Sequence, residues 1–308
     1  VRKMIVCNET SPEGALRVLD VDPSSCTLTT NEHPVRVKGA PCYIGVSPCQ
    51  RFVSVANYTG GNCCSFRLDP DTGRIAFPCA DMHHGSETTP FRTKPQQNHI
   101  RQEQEHPHCF VYVPEFIYKE PKSKEQILER DISQSVQSSS TGCPEKSVSS
   151  SQLPAVSESE PGASDLPAGM GNKRSGGLKD WDLKTNPKDA SKQQEYCYGV
   201  AADLGTDEIV QYQQDDSGQL REIGRSQLKG GAGPRHIVFH PSGKWVFCVN
   251  ELHCSVSSFA VDAKALQKGR AFLSNTPLRS ISLCPQGWKA EAEAEQAPLY
   301  RAIRKTPK

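Results

Sequence analysis

Short runs of alternating apolar and polar residues recur toward both ends of this chain, and a long stretch without that pattern separates them. Alternation over five or six residues is the period of a half-buried β-strand. Two segments share one design: PCYIGVSPCQRFVSVANYTGGNCCSFRLDPDTGRI, from Pro41, and PRHIVFHPSGKWVFCVNELHCSVSSFAVD, from Pro234. Each gives Pro, an apolar strand, a Pro-containing turn, a basic residue, a second strand, Asn, a short loop, a third strand and Asp. Pro41 stands as far from Asn57 as Pro234 stands from Asn250. The turn residues PSG and PDTG supply tight reversals between antiparallel neighbours.

A third copy is split. PHCFVYVPEF, from Pro107, is its first strand, and YCYGVAADLGTDEIVQYQQDDSGQL, from Tyr196, holds its second and third strands with Asp203 in the Asn slot. A partial fourth copy opens the chain, where Asn8-Glu9 aligns with Asn250-Glu251. Copies recur about every fifty residues with three or four short strands and no helical period, which is the signature of a β-propeller blade. A β-sandwich with chance similarity is the alternative. Between the halves of the split copy, Ser, Pro, Gly, Lys and Glu dominate. Such a segment buries too little apolar surface to offset its ordering entropy, so it is expected to be disordered, with at most a short helix around Ser123–Asp131. A surface turn accepts an insertion of this kind because loop-closure entropy grows slowly with length. The chain thus divides into blades over 1–118, a disordered insertion within a blade hairpin over 119–194, further blades over 195–288, and an unstructured or divergent tail over 289–308. Roughly 230 residues remain without the insertion, enough for about five blades.

Composition narrows the function classes. A formal charge of +1, from 36 basic and 35 acidic residues, gives no global field toward nucleic acid or a membrane surface. No apolar run reaches the roughly 18 residues of a membrane span. The opening VRKMIVCNET has no initiator Met and starts as if inside a strand, so the native start is expected to lie upstream. Thirteen cysteines occur singly in apolar runs (Cys7, Cys109, Cys197, Cys248) or as the vicinal pair Cys63-Cys64, without CxxC or Cys/His ligand spacing. They read as buried reduced thiols in a reducing, cytoplasmic setting rather than as a metal site. The acidic DLGTDEI loop reads as structural, since its Asp residues match turn positions in the repeat. HPSGK reads as a turn, not a phosphate loop.

Candidate chemistry lies where the copies differ. After Pro41, Pro107 and Pro234 come Cys42, His108 and Arg235; after the Asn or Asp slot come Tyr58, Leu204 and Glu251. Packing residues of a repeat should match from copy to copy. His108, Arg235 and Glu251 break that rule, so they are expected to face the channel mouth, where blades converge on the axis. Hydrolysis of a lactone needs an activated water, a positive group for the oxyanion and a proton for the leaving alkoxide. His108 or Glu251 suits the base and shuttle, and Arg235 suits an oxyanion, carboxylate or phosphate. His236, in the place of Tyr43 and Cys109, is expected to pack into its blade. No cofactor and no metal is expected.

GGAGPRHIVFHPSGKWVFCVNEL, APCYIGVSPCQRFVSVANYTGG, HPHCFVYVP and VAADLGTDEIVQY together resemble the lactonase family of seven-bladed propellers, which includes 6-phosphogluconolactonases and the fungal carboxy-muconate cyclase. The resemblance implies an all-β, lactonase-type propeller, here incomplete at about five of seven blades. It also implies a hydrolase acting on 6-phospho-D-glucono-1,5-lactone in the pentose phosphate route, with a phosphorylated sugar lactone as partner. In that family, His, Arg and Glu at the motifs of His108, Arg235 and Glu251 lie in the central cleft. By the same resemblance His106 and Arg101, in RQEQEHPH, contribute to binding. Tyr43 departs from the family's usual His after APC, and a further basic residue of a later blade has no counterpart in KAEAEAEQ, since Arg301 and Arg304 lie outside the motif. An incomplete ring would lack one wall of the pocket and lose activity. A lactonising cyclase and a non-catalytic binding propeller are the alternative functions.

Overall fold

Strand follows strand through the described residues of the computed structural model, which are 2–30, 34–85, 99–119 and 196–285. All of them fall in one compact unit. The first sheet pairs β1 (Arg2–Asn8) with β2 (Glu13–Val21), and its outer edge is split into β3 (Leu28–Thr29) and β4 (Val35–Lys38). The second is β5 (Pro41–Val46), β6 (Phe52–Asn57), β7 (Asn62–Leu68) and β8 (Ile75–His83) in simple succession. The third is β9 (Pro107–Tyr112), β10 (Cys197–Asp203), β11 (Glu208–Gln214) and β12 (Leu220–Gln227). The fourth is β13 (Pro234–Phe239), β14 (Trp245–Asn250), β15 (Ser255–Ala260) and β16 (Arg279–Ser282). A five-residue helix, α1 (Ala263–Gln267), is capped by Asp262, whose Oδ1 accepts from Lys264 N and Ala265 N.

These are propeller blades. Strand β9 lies beside both β5 and β13, so the first strands of these three sheets converge while later strands run outward, and β1, which ends at Asn8 and so holds the place of a second strand, lies beside β5. The split hairpin closes as the repeat predicts: β9 and β10 are antiparallel neighbours, with Val111 opposite Val200. Residues 120–195 fall between those two strands in sequence. They lie outside the described residues, as do the expected disorder of the insertion, the helix around Ser123–Asp131 and the tail over 289–308. The described residues supply four sheets. The length-based figure of about five also counted connections, such as the 99–106 loop and the segment around α1.

The core lies in three apolar seams. Leu16, Val37, Val53, Val55 and Phe66 fill the seam between the first and second sheets. Phe110, Tyr112, Ala201, Val210 and Tyr212 fill the next, where the Phe110 and Tyr212 rings stack at 5.7 Å. Tyr198, Val200, Ile209, Val246, Phe259 and Phe272 fill the third. The middle strands β6, β10 and β11 are buried at every residue, because sheets cover both of their faces. Among the described residues β15 keeps the alternation of a sheet covered on one face. Cys63 and Cys64 point to opposite faces of β7 and join different seams, as the strand period requires.

Polar groups inside the seams are matched. Gln211 Oε1 accepts from Phe272 N at 2.7 Å and Leu273 N at 3.0 Å, which fastens the segment after α1 to β11. Arg225 donates to Glu222 at 2.7 Å, to Glu208 at 2.8 Å and to the His84 carbonyl at 2.7 Å, with all three side chains nearly sealed from solvent. His84 Nδ1 sits 2.5 Å from Asp203 Oδ2, and Tyr212 Oη lies 2.7 Å from His84 Nε2. Burial alone would raise the Asp203 carboxyl. The His84 hydrogen bond and charge, with the backbone N–H groups of His106 and Thr206, more than reverse this and hold it below the usual carboxylate value.

Two outcomes follow for stability. Arg225→Met removes the cation shared by the buried carboxylates of Glu208 and Glu222 and lowers the unfolding free energy by about 3–5 kcal/mol in urea titration. Because the folded-state pKa of Asp203 is depressed, its contribution is complete above the unfolded carboxylate value of about 3.9 and is lost as pH falls through the lower folded value. The thermal midpoint therefore drops on acidification below about pH 4, and Asp203→Asn flattens that drop; an unchanged slope would refute the assignment.

Candidate active site

Strands β5, β9 and β13 each begin with the same irregularity. In β5, Pro41 faces Asn57 and Tyr43 faces Ala56, so Cys42 is an extra residue. In β9, Pro107 faces Asp203 and Cys109 faces Ala202, leaving His108 extra. In β13, Pro234 faces Asn250 and His236 faces Val249, leaving Arg235 extra. A bulge frees one residue from the ladder and re-aims its side chain. One of the two variable positions of the sequence copies, Cys42, His108 and Arg235, is this bulge residue, and the other, Tyr58, Leu204 and Glu251, follows the second strand.

The Asn slot closes the hairpin beyond each bulge. Asn250 Nδ2 donates to Ser255 Oγ and Ser257 Oγ, and Asn57 Nδ2 donates to Cys64 Sγ. Asp203 accepts at Oδ1 from Gly205 N, Thr206 N and His106 N, the last at 2.9 Å, which ties the segment before β9 to the end of β10. Gln102 Nε2 donates to Leu204 O at 2.9 Å and anchors the 3-10 turn Ile100–Gln102, which carries Arg101. Asp207 accepts from Gly231 N and Gly233 N, both at 2.7 Å. Gly233 takes φ +61°, where a Cβ would collide with Leu252, and its carbonyl receives Glu251 N at 2.7 Å. The acidic loop is therefore a brace for both flanks of the site.

The five residues singled out in the sequence come together. Arg101 Nη1 donates to Glu251 Oε1 at 2.8 Å, and Arg235 Nε lies 3.3 Å from Glu251 Oε2, so one carboxylate sits between two guanidinium groups. His106 donates from Nδ1 to the Tyr58 carbonyl at 2.7 Å and stacks on the Tyr58 ring at 4.2 Å. His108 meets the edge of Tyr58 at 5.4 Å and of His236 at 5.7 Å. The Tyr58 phenol, pushed up by burial and pulled back by the Arg101 guanidinium beside it, links the ring cluster to the ion pairs. Three buried polar atoms of this cluster, His108 Nδ1, Arg235 Nε and Glu251 Oε2, make no hydrogen bond among the described residues.

The electrostatics assign protonation states. Burial alone raises the Glu251 carboxyl, but the Arg101 hydrogen bond and the charges of Arg101, Arg235 and His108 outweigh it, so the group is held below its usual value. Burial lowers His108, its backbone hydrogen bond and Glu251 oppose this, and Arg235 and His236 add to the lowering. His108 is thus a neutral imidazole at neutral pH beside an ionised Glu251. His236 is lowered by burial and by Arg235.

One expectation is corrected. His236 does not pack into its blade; it is exposed, edge-on to His108 and 6.0 Å from Tyr43. The bulge at Arg235 interrupts alternation between Pro234 and His236, so the strand period no longer assigns His236 to the apolar seam. Tyr58, which the sequence offers only as a variable position, sets its ring between those of His106 and His108. Its equivalence to Glu251 in the repeat was the available signal. Arg301 and Arg304 lie outside the described residues.

Comparison with known proteins agrees with this architecture. The family model described as lactonase, 7-bladed beta-propeller, matches residues 2–131 and 193–297. The chain is 22% identical over 240 residues to a 6-phosphogluconolactonase of Bacillus subtilis, covering 78% of this chain and 43% of that protein. It is 44% identical over 61 residues to an uncharacterized protein of Staphylococcus saprophyticus, covering 20% of this chain and 17% of that one. A crystal structure of a Lactobacillus plantarum protein superposes with TM-score 0.54 at 18% identity, covering 93% of this chain and 55% of the other, and shows a shared fold. The chain therefore spans well under two thirds of the length of these relatives. With the repeated bulge, the radial seams and a match over both halves, the chain belongs to the lactonase family of seven-bladed β-propellers.

Proposed function

We propose that this chain hydrolyses a sugar δ-lactone, 6-phospho-D-glucono-1,5-lactone, to 6-phosphogluconate. The observation that carries this reading is His108 Nδ1, buried without a hydrogen bond among the described residues, beside the Arg235–Glu251 ion pair at 3.3 Å. A buried ring nitrogen without a hydrogen bond is costly, and its place next to a guanidinium and a carboxylate on converging blades fits a group whose partner is a ligand. The family and the named Bacillus relative support the lactone as that ligand.

In this reading neutral His108 accepts a proton from water as the water oxygen bonds to the lactone carbonyl carbon. Negative charge builds on the carbonyl oxygen, and Arg235 stabilises it with N–H groups not engaged by Glu251. The ring C–O bond then breaks, and the imidazolium of His108 returns its proton to the departing alkoxide. The product carboxylic acid ionises in water. Glu251, held ionised between Arg101 and Arg235, is a poor base; it fixes the two guanidinium groups instead. Tyr58 and His106 line the same side and suit the sugar hydroxyls.

The test is acid release from the phosphorylated lactone, followed above the spontaneous rate with the full chain. Arg235→Ala lowers kcat/KM by about 10²–10³-fold, and His108→Ala lowers it by about 10²–10⁴-fold, with unfolding midpoints unchanged. No acceleration by the unaltered chain would remove the proposal. The pH profile checks the base. Since burial and Arg235 depress His108, kcat/KM stays level from neutrality to below the ordinary imidazole value of about 6.5 before falling; an acid limb centred above pH 7 would point to another group.

A further inference from the structure

Cys49 and Cys197 stand 148 positions apart in sequence, yet their sulfur atoms are 3.5 Å from each other. Cys49 lies in the turn between β5 and β6, and Cys197 is the first residue of β10. The pair therefore bridges the second and third blades at the strand ends away from Arg235, His108 and Glu251. Cys49 is half-buried and reachable from solvent, whereas Cys197 is buried behind it. Ser47 Oγ lies 3.3 Å from the Cys49 sulfur, and the Arg51 guanidinium, anchored on Asp216 at 2.9 Å, stands beside it. A hydroxyl and a cation next to a reachable sulfur are the surroundings that favour thiolate.

The other described thiols differ. Cys63 and Cys64 are neighbours in sequence but enter different seams. Cys109 and Cys248 are buried in one seam, and burial pushes both thiols up. Cys49 is shifted the opposite way: the hydrogen bond from Cys197 lowers it against the effect of burial, with Ser47 and Arg51 assisting. A low, reachable thiol with a second thiol in van der Waals contact is the arrangement of an oxidisable cysteine and its resolving partner.

We propose that Cys49 is a modification site for peroxide-type oxidants, and that Cys197 converts the oxidised sulfur into a disulfide joining the second and third blades. The Cys49 thiolate attacks one peroxide oxygen; the O–O bond breaks, the departing hydroxide takes a proton to become water, and Cys49 becomes a sulfenic acid. The Cys197 sulfur then attacks the Cys49 sulfur, the hydroxyl leaves as a second water with the Cys197 proton, and the S–S bond forms. Two thiols lose two electrons and the peroxide gains them. A small thiol such as glutathione reverses the step by exchange. Closing the bond brings the sulfurs to about 2.0 Å, a movement that the β5–β6 turn must supply. The bond then crosslinks that turn to β10, whose far end carries Asp203 and, through it, His106.

The experiment treats the full chain with one equivalent of hydrogen peroxide, blocks free thiols with N-ethylmaleimide and maps peptides without reduction. The Cys49–Cys197 linked peptide is expected to accumulate before any other and to vanish on adding glutathione. Cys197→Ser is expected to stop at a Cys49 sulfenic acid that dimedone traps. Cys49→Ser should abolish both products while Cys26, exposed in the connection between β2 and β3, still alkylates. In the untreated chain at pH 6, iodoacetamide should label Cys49 at least about tenfold faster than Cys26. A different first crosslink, or labelling of Cys49 no faster than Cys26, would overturn the proposal.

Discussion

An antiparallel sheet that is apolar on both faces is stable only between two others. The middle strands of the second and third blades meet that constraint with runs such as Phe52–Asn57 and Cys197–Asp203, in which every residue is buried. Seams packed at the density of a protein interior fix the angle and spacing of neighbouring blades. Once blades lie side by side, their first strands have to converge. The site is therefore a consequence of the seams: β5, β9 and β13 are held next to one another by Phe110, Tyr198, Ile237 and their neighbours, far more firmly than loops could hold them.

On that frame the bulge does the local work. A regular ladder would send the residue after Pro107 or Pro234 along the sheet's alternation, into a seam or away from the axis. The extra residue releases it, and His108 and Arg235 turn to the same neighbourhood as Glu251. Keeping a carboxylate between two guanidinium groups, and a histidine nitrogen buried without a partner, costs stability at that spot. The cost is offset beside it, where Asp203 takes hydrogen bonds from His106, Gly205, Thr206 and His84, and Asp207 takes two from the glycine loop ahead of β13. Rigid bracing around strained polar groups is what a preorganised site requires.

Much of this was legible in the residues because propeller blades repeat. The equal spacing from Pro41 to Asn57 and from Pro234 to Asn250 reports direct cross-strand partners, and the split copy revealed a hairpin whose strands pair although residues 120–195 intervene. Variation at matched positions found His108 and Arg235 for a reason that the sequence does not display, namely that bulge residues carry no packing duty; Glu251 stands out for a simpler one, since it follows the end of β14. The same hidden bulge defeated the assignment of His236, since strict alternation cannot foresee an interruption. Arg101 and His106 sit outside the repeat, on a connection whose course is set by Gln102 and Asp203, so only family resemblance pointed to them. The juxtaposition of Cys49 and Cys197 was out of reach, because it arises from how two blades dock and not from any local spacing.

The central claim is that three blades deliver their inner-strand side chains to one ligand. Nitrogen-15 spectra of the histidine rings, recorded while 6-phosphogluconate is titrated into the full chain, test it most directly. The account predicts saturable movement of the His106, His108 and His236 signals with one shared dissociation constant, while His240, in the turn at the other end of β13, stays still. Signals that respond separately, or a His240 shift equal to theirs, would contradict a common site.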